Sequence, residues 1–85
     1  MRVALAQIQI EPGDVAENRE RAVAAARAAA DCDLVVLPEL FDVGYFAFDS
    51  YARVAEGLDG ETLSAMSAVA AEAGVAVVAG TVVED

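Results

Sequence analysis

The sequence has no histidine, no lysine and no tryptophan, and Cys32 is its single cysteine among 85 residues. Without histidine, and with acidic residues scattered along the chain, no metal-ligand spacing is present, so we expect no metal site. One cysteine cannot form a disulfide within the chain, which suits the reducing cytoplasm. We therefore predict a cytoplasmic protein that binds no metal.

Positive charge is also scarce, because only 5 basic residues stand against 15 acidic ones and the net charge is −10. Such a surface repels phosphate groups, so we expect neither nucleic acid nor an anionic membrane as a partner. The longest uncharged apolar run, residues 75–83, is about half of the ~18 residues that a membrane-spanning helix needs. The sequence therefore predicts no membrane span.

Hydrophobic periodicity predicts alternating strands and helices. We expect strands over residues 3–10, 34–37 and 75–79, and helices over residues 14–30 and 61–73. The second strand is a continuous apolar run, which is typical of a strand buried on both faces in a parallel sheet. The order strand–helix–strand–helix–strand predicts an α/β fold with right-handed crossovers and a largely parallel sheet.

The ends of the helices carry recognisable signals. Asp14 is placed to cap the first helix, and Gly74 to end the second. Residues 38–60 are irregular, with a short helix expected near residues 50–55, and residues 81–83 either extend the third strand or begin another. The apolar stripes of the two helices predict these core residues: Val15, Ala22, Val23, Ala26 and Ala30, and then Leu63, Met66, Val69, Ala70 and Ala73.

Glu39 is the main candidate for a catalytic residue. It follows the second predicted strand directly after Pro38, and ligands of open α/β sheets bind beyond the carboxyl ends of the strands. A carboxylate at this place can act as a general base. The structural alternative is a carboxylate that caps the following turn or pairs with an arginine.

The aromatic residues all follow Glu39 closely, within twelve residues, and none lies elsewhere. Aromatic rings around one polar group are typical of small-ligand pockets, so Phe41 and Tyr45 are candidate substrate-binding residues. Alternatively, the rings hold an irregular loop against the sheet. Cys32 lies at the opposite end of the second strand and has no histidine to activate it, so we interpret it as a packing residue. The five aromatics are Phe41, Tyr45, Phe46, Phe48 and Tyr51.

Several of these segments resemble the nitrilase superfamily of carbon–nitrogen hydrolases, and in the right order. Asp33-Leu34-Val35-Val36-Leu37-Pro38-Glu39-Leu40-Phe41, with Gly44-Tyr45 downstream, resembles the family's glutamate motif. The weaker matches are to the opening strand (Arg2 to Gln7), the first turn and helix start (Gly13-Asp14-Val15 with Asn18), and the later helix and strand (Gly60-Glu61-Thr62 to Ala73-Gly74-Val75, then Ala79-Gly80).

The resemblance implies that residues 1–85 are the N-terminal β-α-β-α-β part of an αββα sandwich, truncated within one carbon–nitrogen hydrolase domain. It further implies a Glu–Lys–Cys triad with Glu39 as general base, no metal or organic cofactor, and a small amide, nitrile or carbamoyl substrate. Family members pair with another subunit, so we expect a homo-oligomer of the full-length protein.

The chain departs from the family because it has no lysine and its only cysteine, Cys32, precedes the glutamate. We therefore expect these residues alone to be inactive. The alternative is a non-catalytic α/β module that binds a small ligand or a partner subunit through the aromatic loop. A nucleotide-binding fragment is disfavoured, because the turn after the first strand offers only Gly13 where a glycine-rich loop is needed.

Overall fold

A computed structural model describes residues 1–44, 51, 55–57 and 60–80. The described strands form one parallel sheet in the order β1-β2-β3, and this confirms the α/β class and the parallel pairing. The short helix expected near residues 50–55 and the strand residues expected at 81–83 lie largely or wholly outside the described residues. Within the described residues, the elements in chain order are β1 (Val3–Leu5), α1 (Val15–Ala28), β2 (Leu34–Val36), α2 (Glu61–Ala73) and β3 (Ala76–Val78).

The first strand is much shorter than predicted, and the extension beyond Leu5 to residue 10 was wrong. The ladder between β1 and β2 closes with the bond from the Ala6 N–H to the Val36 carbonyl, at 2.9 Å. Pro38 then has no N–H with which to continue β2. The hydrogen bonds between β1 and β2 therefore determine where β1 ends, even though the residues after Leu5 have a high propensity for strand structure.

Helices α1 and α2 cover the same face of the sheet. The register aligns Ala4, Val35 and Val77 in one row across the three strands, and Val35 is fully buried in a cluster with Ala26 of α1 and Val69 of α2. Side chains alternate between the two faces of a strand, so this central row points at the helices. The small alanine side chains of α1 allow the helix to lie close to the sheet.

The helix ends agree with the sequence signals. The Asp14 carboxylate accepts the Glu17 N–H at 3.2 Å, and Gly74 ends α2 with a φ of 68° and an N–H bonded to the Ala70 carbonyl. Both cap predictions are confirmed. The core prediction for Ala30 was wrong, because α1 ends at Ala28 and the exposed Ala30 lies in the turn that leads to β2.

The opposite face of the sheet has no cover from the described residues. Val3, Leu5 and Val78 point to this face and are exposed, while Leu34 and Val36 of β2 are half-buried. The prediction that β2 is buried on both faces was therefore wrong for the described chain, since its helices lie on one side only. None of the described helices combines the length and the apolar character needed to cross a membrane.

Candidate active site

Glu39 stands beyond the carboxyl end of the central strand, three residues after Val36, and is exposed. A cavity of about 280 Å³ opens at the same edge of the sheet, beside Pro38. Glu39 therefore directly follows a residue that lines an apolar depression, at the edge where α/β sheets bind their ligands. The cavity is lined by Leu5, Ala6, Gln7, Val36, Leu37 and Pro38.

The backbone directly after Glu39 is strained. Leu40 has a φ of 49° and is the single non-glycine residue with positive φ in the described part of the chain. A branched side chain is disfavoured in this left-handed region, so the surrounding contacts must hold it there. Gly44 closes the turn by donating its N–H to the Leu40 carbonyl at 2.8 Å. Strain of this kind is concentrated at functional sites.

The segment after β3 also fixes the backbone that carries Glu39. Gly80 has a φ of 56°, and a Cβ atom there would overlap the Pro38 carbonyl oxygen. The Leu37 N–H donates to the Val78 carbonyl at 2.9 Å. Val78, the last residue of β3, and Gly80, two residues further on, therefore contact Leu37 and Pro38, which directly precede Glu39.

A buried amide links the loops that follow β1 and β2. The Asn18 side chain is fully buried; its Oδ1 accepts the Glu11 N–H at 2.7 Å, and its Nδ2 donates to the carbonyls of Glu11 and Asp42, both at 2.8 Å. The Gly13 N–H adds a bond to the Val43 carbonyl at 2.7 Å. These contacts join the first turn of the chain to the loop that contains Glu39.

Asp42, three residues after Glu39, is fully buried, and its carboxylate has no hydrogen-bond partner among the described residues. Burial raises the pKa of Asp42, and the nearby Glu56 carboxylate adds to the rise. The N–H groups of Asp42 and Val43 and the charge of Arg19 lower this pKa, although neither N–H makes a well-formed bond to the carboxylate. The buried group therefore holds its proton more tightly than an exposed aspartate does.

Neither Asn18 nor Asp42 was identified as a functional candidate from the sequence. One signal for Asn18 was available: it lies four residues before Ala22 and eight before Ala26, both fully buried, so it continues the buried stripe of α1. A polar residue in such a stripe needs hydrogen-bond partners inside the protein. No comparable periodicity marks Asp42, which lies in a turn.

Phe41 packs in the core beneath the loop. Its ring is fully buried in a cluster with Ala22, Leu37 and Met66. This packing accounts for the burial of the ring without a ligand, and the predicted contact of Phe41 with substrate stays a prediction. Tyr45, the other predicted substrate-binding residue, lies outside the described residues.

The remaining candidates for chemistry are placed away from Glu39. Cys32 lies before the first residue of β2, at the opposite end of the strand, and packs against the apolar cluster under the sheet. The described arginines all form ion pairs with carboxylates other than Glu39, so none of them neutralises it. These pairs are Arg2–Asp31, Arg19–Glu61, Arg21–Glu11, Arg21–Glu17 and Arg27–Glu72.

Together these features define an α/β chain with an exposed carboxylate at the carboxyl edge of a parallel sheet. The chain belongs to the carbon–nitrogen hydrolase family, because the sequence model of that family, "Carbon-nitrogen hydrolase", matches residues 2–85. The family resemblance of the Glu39 segment and its flanking elements is thereby confirmed.

Three known proteins are similar to this chain. "Hydrolase in pqqF 5'region" of Pseudomonas protegens is 42% identical over 81 residues, which cover 94% of this chain and 28% of that protein. An (R)-stereoselective amidase of a Pseudomonas species is 38% identical over 81 residues, or 94% of this chain and 30% of the amidase. The glutamine-dependent NAD(+) synthetase of Rhodobacter capsulatus is 42% identical over 73 residues, 84% of this chain and 13% of the synthetase. The chain therefore spans less than a third of each relative.

Proposed function

We propose that this chain supplies the general base, Glu39, of a hydrolase that acts on non-peptide carbon–nitrogen bonds. The observation that carries the proposal is the placement of an exposed glutamate at the carboxyl edge of the parallel sheet, one residue after Pro38, which lines an apolar cavity. The strained backbone at Leu40 and the absence of any described arginine paired with Glu39 both favour a chemical role over a structural one. A general base must be accessible to the group whose proton it removes.

In the proposed mechanism Glu39 takes the proton of a cysteine thiol, and the thiolate attacks the carbon of an amide, nitrile or carbamoyl group. A lysine ammonium stabilises the negative charge that develops in the attack. With an amide or carbamoyl substrate, Glu39 then hands the proton to the departing ammonia or amine, and the acyl group stays bound to the sulfur. With a nitrile the first product is a thioimidate, and a water molecule must add to its carbon before ammonia departs and the thioester remains. Finally Glu39 removes a proton from water, and the hydroxide attacks the thioester and releases the acid and the thiol.

The lysine and the nucleophilic cysteine of this mechanism have to come from residues other than these 85, which contain no lysine and hold Cys32 at the wrong end of β2. In this proposal, the residues that supply the lysine and the cysteine also form the second sheet of an αββα sandwich. Support comes from the apolar sheet face that the described helices leave uncovered, with Leu5 and Val78 exposed on it. A second copy of the full-length protein is the proposed oligomeric partner.

The names of the relatives favour amide chemistry. One relative is called an amidase and another is called glutamine-dependent, and both names fit an enzyme that cleaves a carbon–nitrogen bond next to a carbonyl. An amide is therefore the first substrate class to test, followed by nitriles and carbamoyl compounds.

The test uses the protein of natural length that contains this chain. Glu39→Gln keeps the shape of the side chain but cannot accept a proton, so kcat for ammonia release should fall by ~10²–10⁴-fold, the usual contribution of a positioned general base. Glu20→Gln, at an exposed position on α1, is the matched control and should retain full activity. Full activity of Glu39→Gln would contradict the proposal, and bound ligand without turnover in the unmodified protein would favour the binding-module alternative.

A further inference from the structure

We propose that Asn18 is a positioning residue for Glu39, because its buried amide clamps the loop after β1 to the loop that carries the base. The inference rests on the proposed function of Glu39 and adds a residue of α1 that acts on the catalytic group through the backbone. Asn18 does not contact the substrate in this proposal.

The amide of Asn18 behaves like an extra peptide unit between the two loops. It pairs with both the N–H and the carbonyl of Glu11, as one strand pairs with another, and its second N–H reaches the Asp42 carbonyl. The chemistry fixes the orientation of the amide, because a flipped amide would set its oxygen against two carbonyl oxygens. Only a side chain that offers one acceptor and two donors satisfies all three backbone groups.

Further contacts on either side of the Asn18 amide join the two loops. The Gly13 N–H donates to the Val43 carbonyl at 2.7 Å. A Cβ atom on Gly44 would lie 3.4 Å from the Ile10 side chain and 3.4 Å from the Pro12 Cα, so the Gly44 backbone passes close to the loop after β1. The Gly44 N–H then closes the turn onto the Leu40 carbonyl, one residue after Glu39.

The helix itself gives no reason for asparagine at this position. Asparagine is a poorer helix former than alanine, and two alanines, Ala22 and Ala26, continue the same buried row. What distinguishes residue 18 from them is that its side chain hydrogen-bonds to the backbone of both loops. We therefore attribute the asparagine to the position of the loops.

The experiment compares Asn18→Ala and the milder Asn18→Ser with Val69→Ala in the natural-length protein. Val69 is buried in the core cluster, so its truncation lowers stability without touching either loop. A base displaced by about 1 Å can lose ~10²-fold in rate, so Asn18→Ala should lower kcat per folded molecule by roughly 10–100-fold, with KM within about threefold of the unmodified value. Asn18→Ser should fall between, and Val69→Ala should keep its kcat.

Hydrogen exchange measured by mass spectrometry gives a readout that does not depend on activity. Peptides covering residues 10–15 and 40–44 should exchange faster in Asn18→Ala, while a peptide from α2 should not change. Unchanged protection of both loop peptides would overturn the clamp. If Asn18→Ala is too unstable to isolate, Asn18→Ser decides the question by the same two measurements.

The outcomes also separate this inference from the proposed function. If Glu39→Gln is inactive but the Asn18 variants keep normal kcat, the positioning role is wrong and the base assignment stands. If Val69→Ala loses as much kcat as Asn18→Ala, general destabilisation explains the loss and the clamp is again refuted. If Glu39→Gln is fully active, the proposed function fails and the positioning role fails with it.

Discussion

The uncovered sheet face predicts that the 85-residue chain, produced alone, associates weakly with itself. Three large apolar side chains on that face are exposed in the described chain: Leu5 by 71%, Val3 by 49% and Val78 by 46%. Two copies can cover these side chains by stacking the faces of their sheets, which is how layered β structures bury an apolar surface.

The exposed fractions of these three side chains determine how much free energy a dimer gains by covering them. Full burial of a leucine or valine side chain is worth about 1.5–3 kcal/mol, so covering the three exposed fractions gives roughly 2.5–5 kcal/mol per copy and roughly 5–10 kcal/mol per dimer. Association itself costs about 4–15 kcal/mol, and two chains of charge −10 repel each other. We therefore expect a weak dimer that strengthens when salt screens the repulsion.

Sedimentation velocity across a range of protein and salt concentrations measures this association. The double variant Leu5→Gln/Val78→Thr should abolish it and leave the far-ultraviolet circular dichroism unchanged, because both side chains are exposed in the monomer. Ala24→Gln, at an exposed position on α1, is the control and should dimerise like the parent. A chain that stays monomeric at high salt, or a dimer that survives the double substitution, would refute the reasoning.

Two further predictions concern buried or half-buried groups in the natural-length protein. The pKa of Asp42 is raised above its ordinary value of 3.8 in the folded protein. The free energy of unfolding therefore falls as the pH rises from 3.8 through the raised pKa, because the unfolded chain loses the proton first. Asp42→Asn removes this loss, so in urea unfolding it should stabilise the fold more at pH 7 than at pH 4. A larger gain at pH 4 would contradict that sign. Cys32→Ala should keep kcat near normal and cost about 1 kcal/mol of stability, whereas loss of activity would make the thiol functional.

The parts of the fold that depend on local chemistry were predictable from the sequence. Both bounds of α2 and the caps at Asp14 and Gly74 follow from side chains and backbone preferences within a few residues. The length of β1 was not predictable in this way. It depends on where β2 ends, and that end is set by Pro38, far away in the sequence.

The same distinction applies to the candidate site. Glu39 was accessible to sequence reasoning, because its place after a strand and its motif are both local features. The connection between Asn18, Glu11 and Asp42 was not, since it joins residues 7 and 24 positions apart through backbone groups that every residue type carries. This connection is seen only in the structure, where the Asn18 amide is buried between the two loops.

The strand order has a consequence for how the chain reaches its final shape. Among the described strands, each outer strand pairs only with β2, so this sheet cannot begin before residue 36 has been synthesised, although α1 can already form. The bond from Leu37 to Val78 and the contact of Gly80 with Pro38 require β3 as well. Chains emerge with the N-terminus first, so the backbone before Glu39 is completed only when the last described residues arrive.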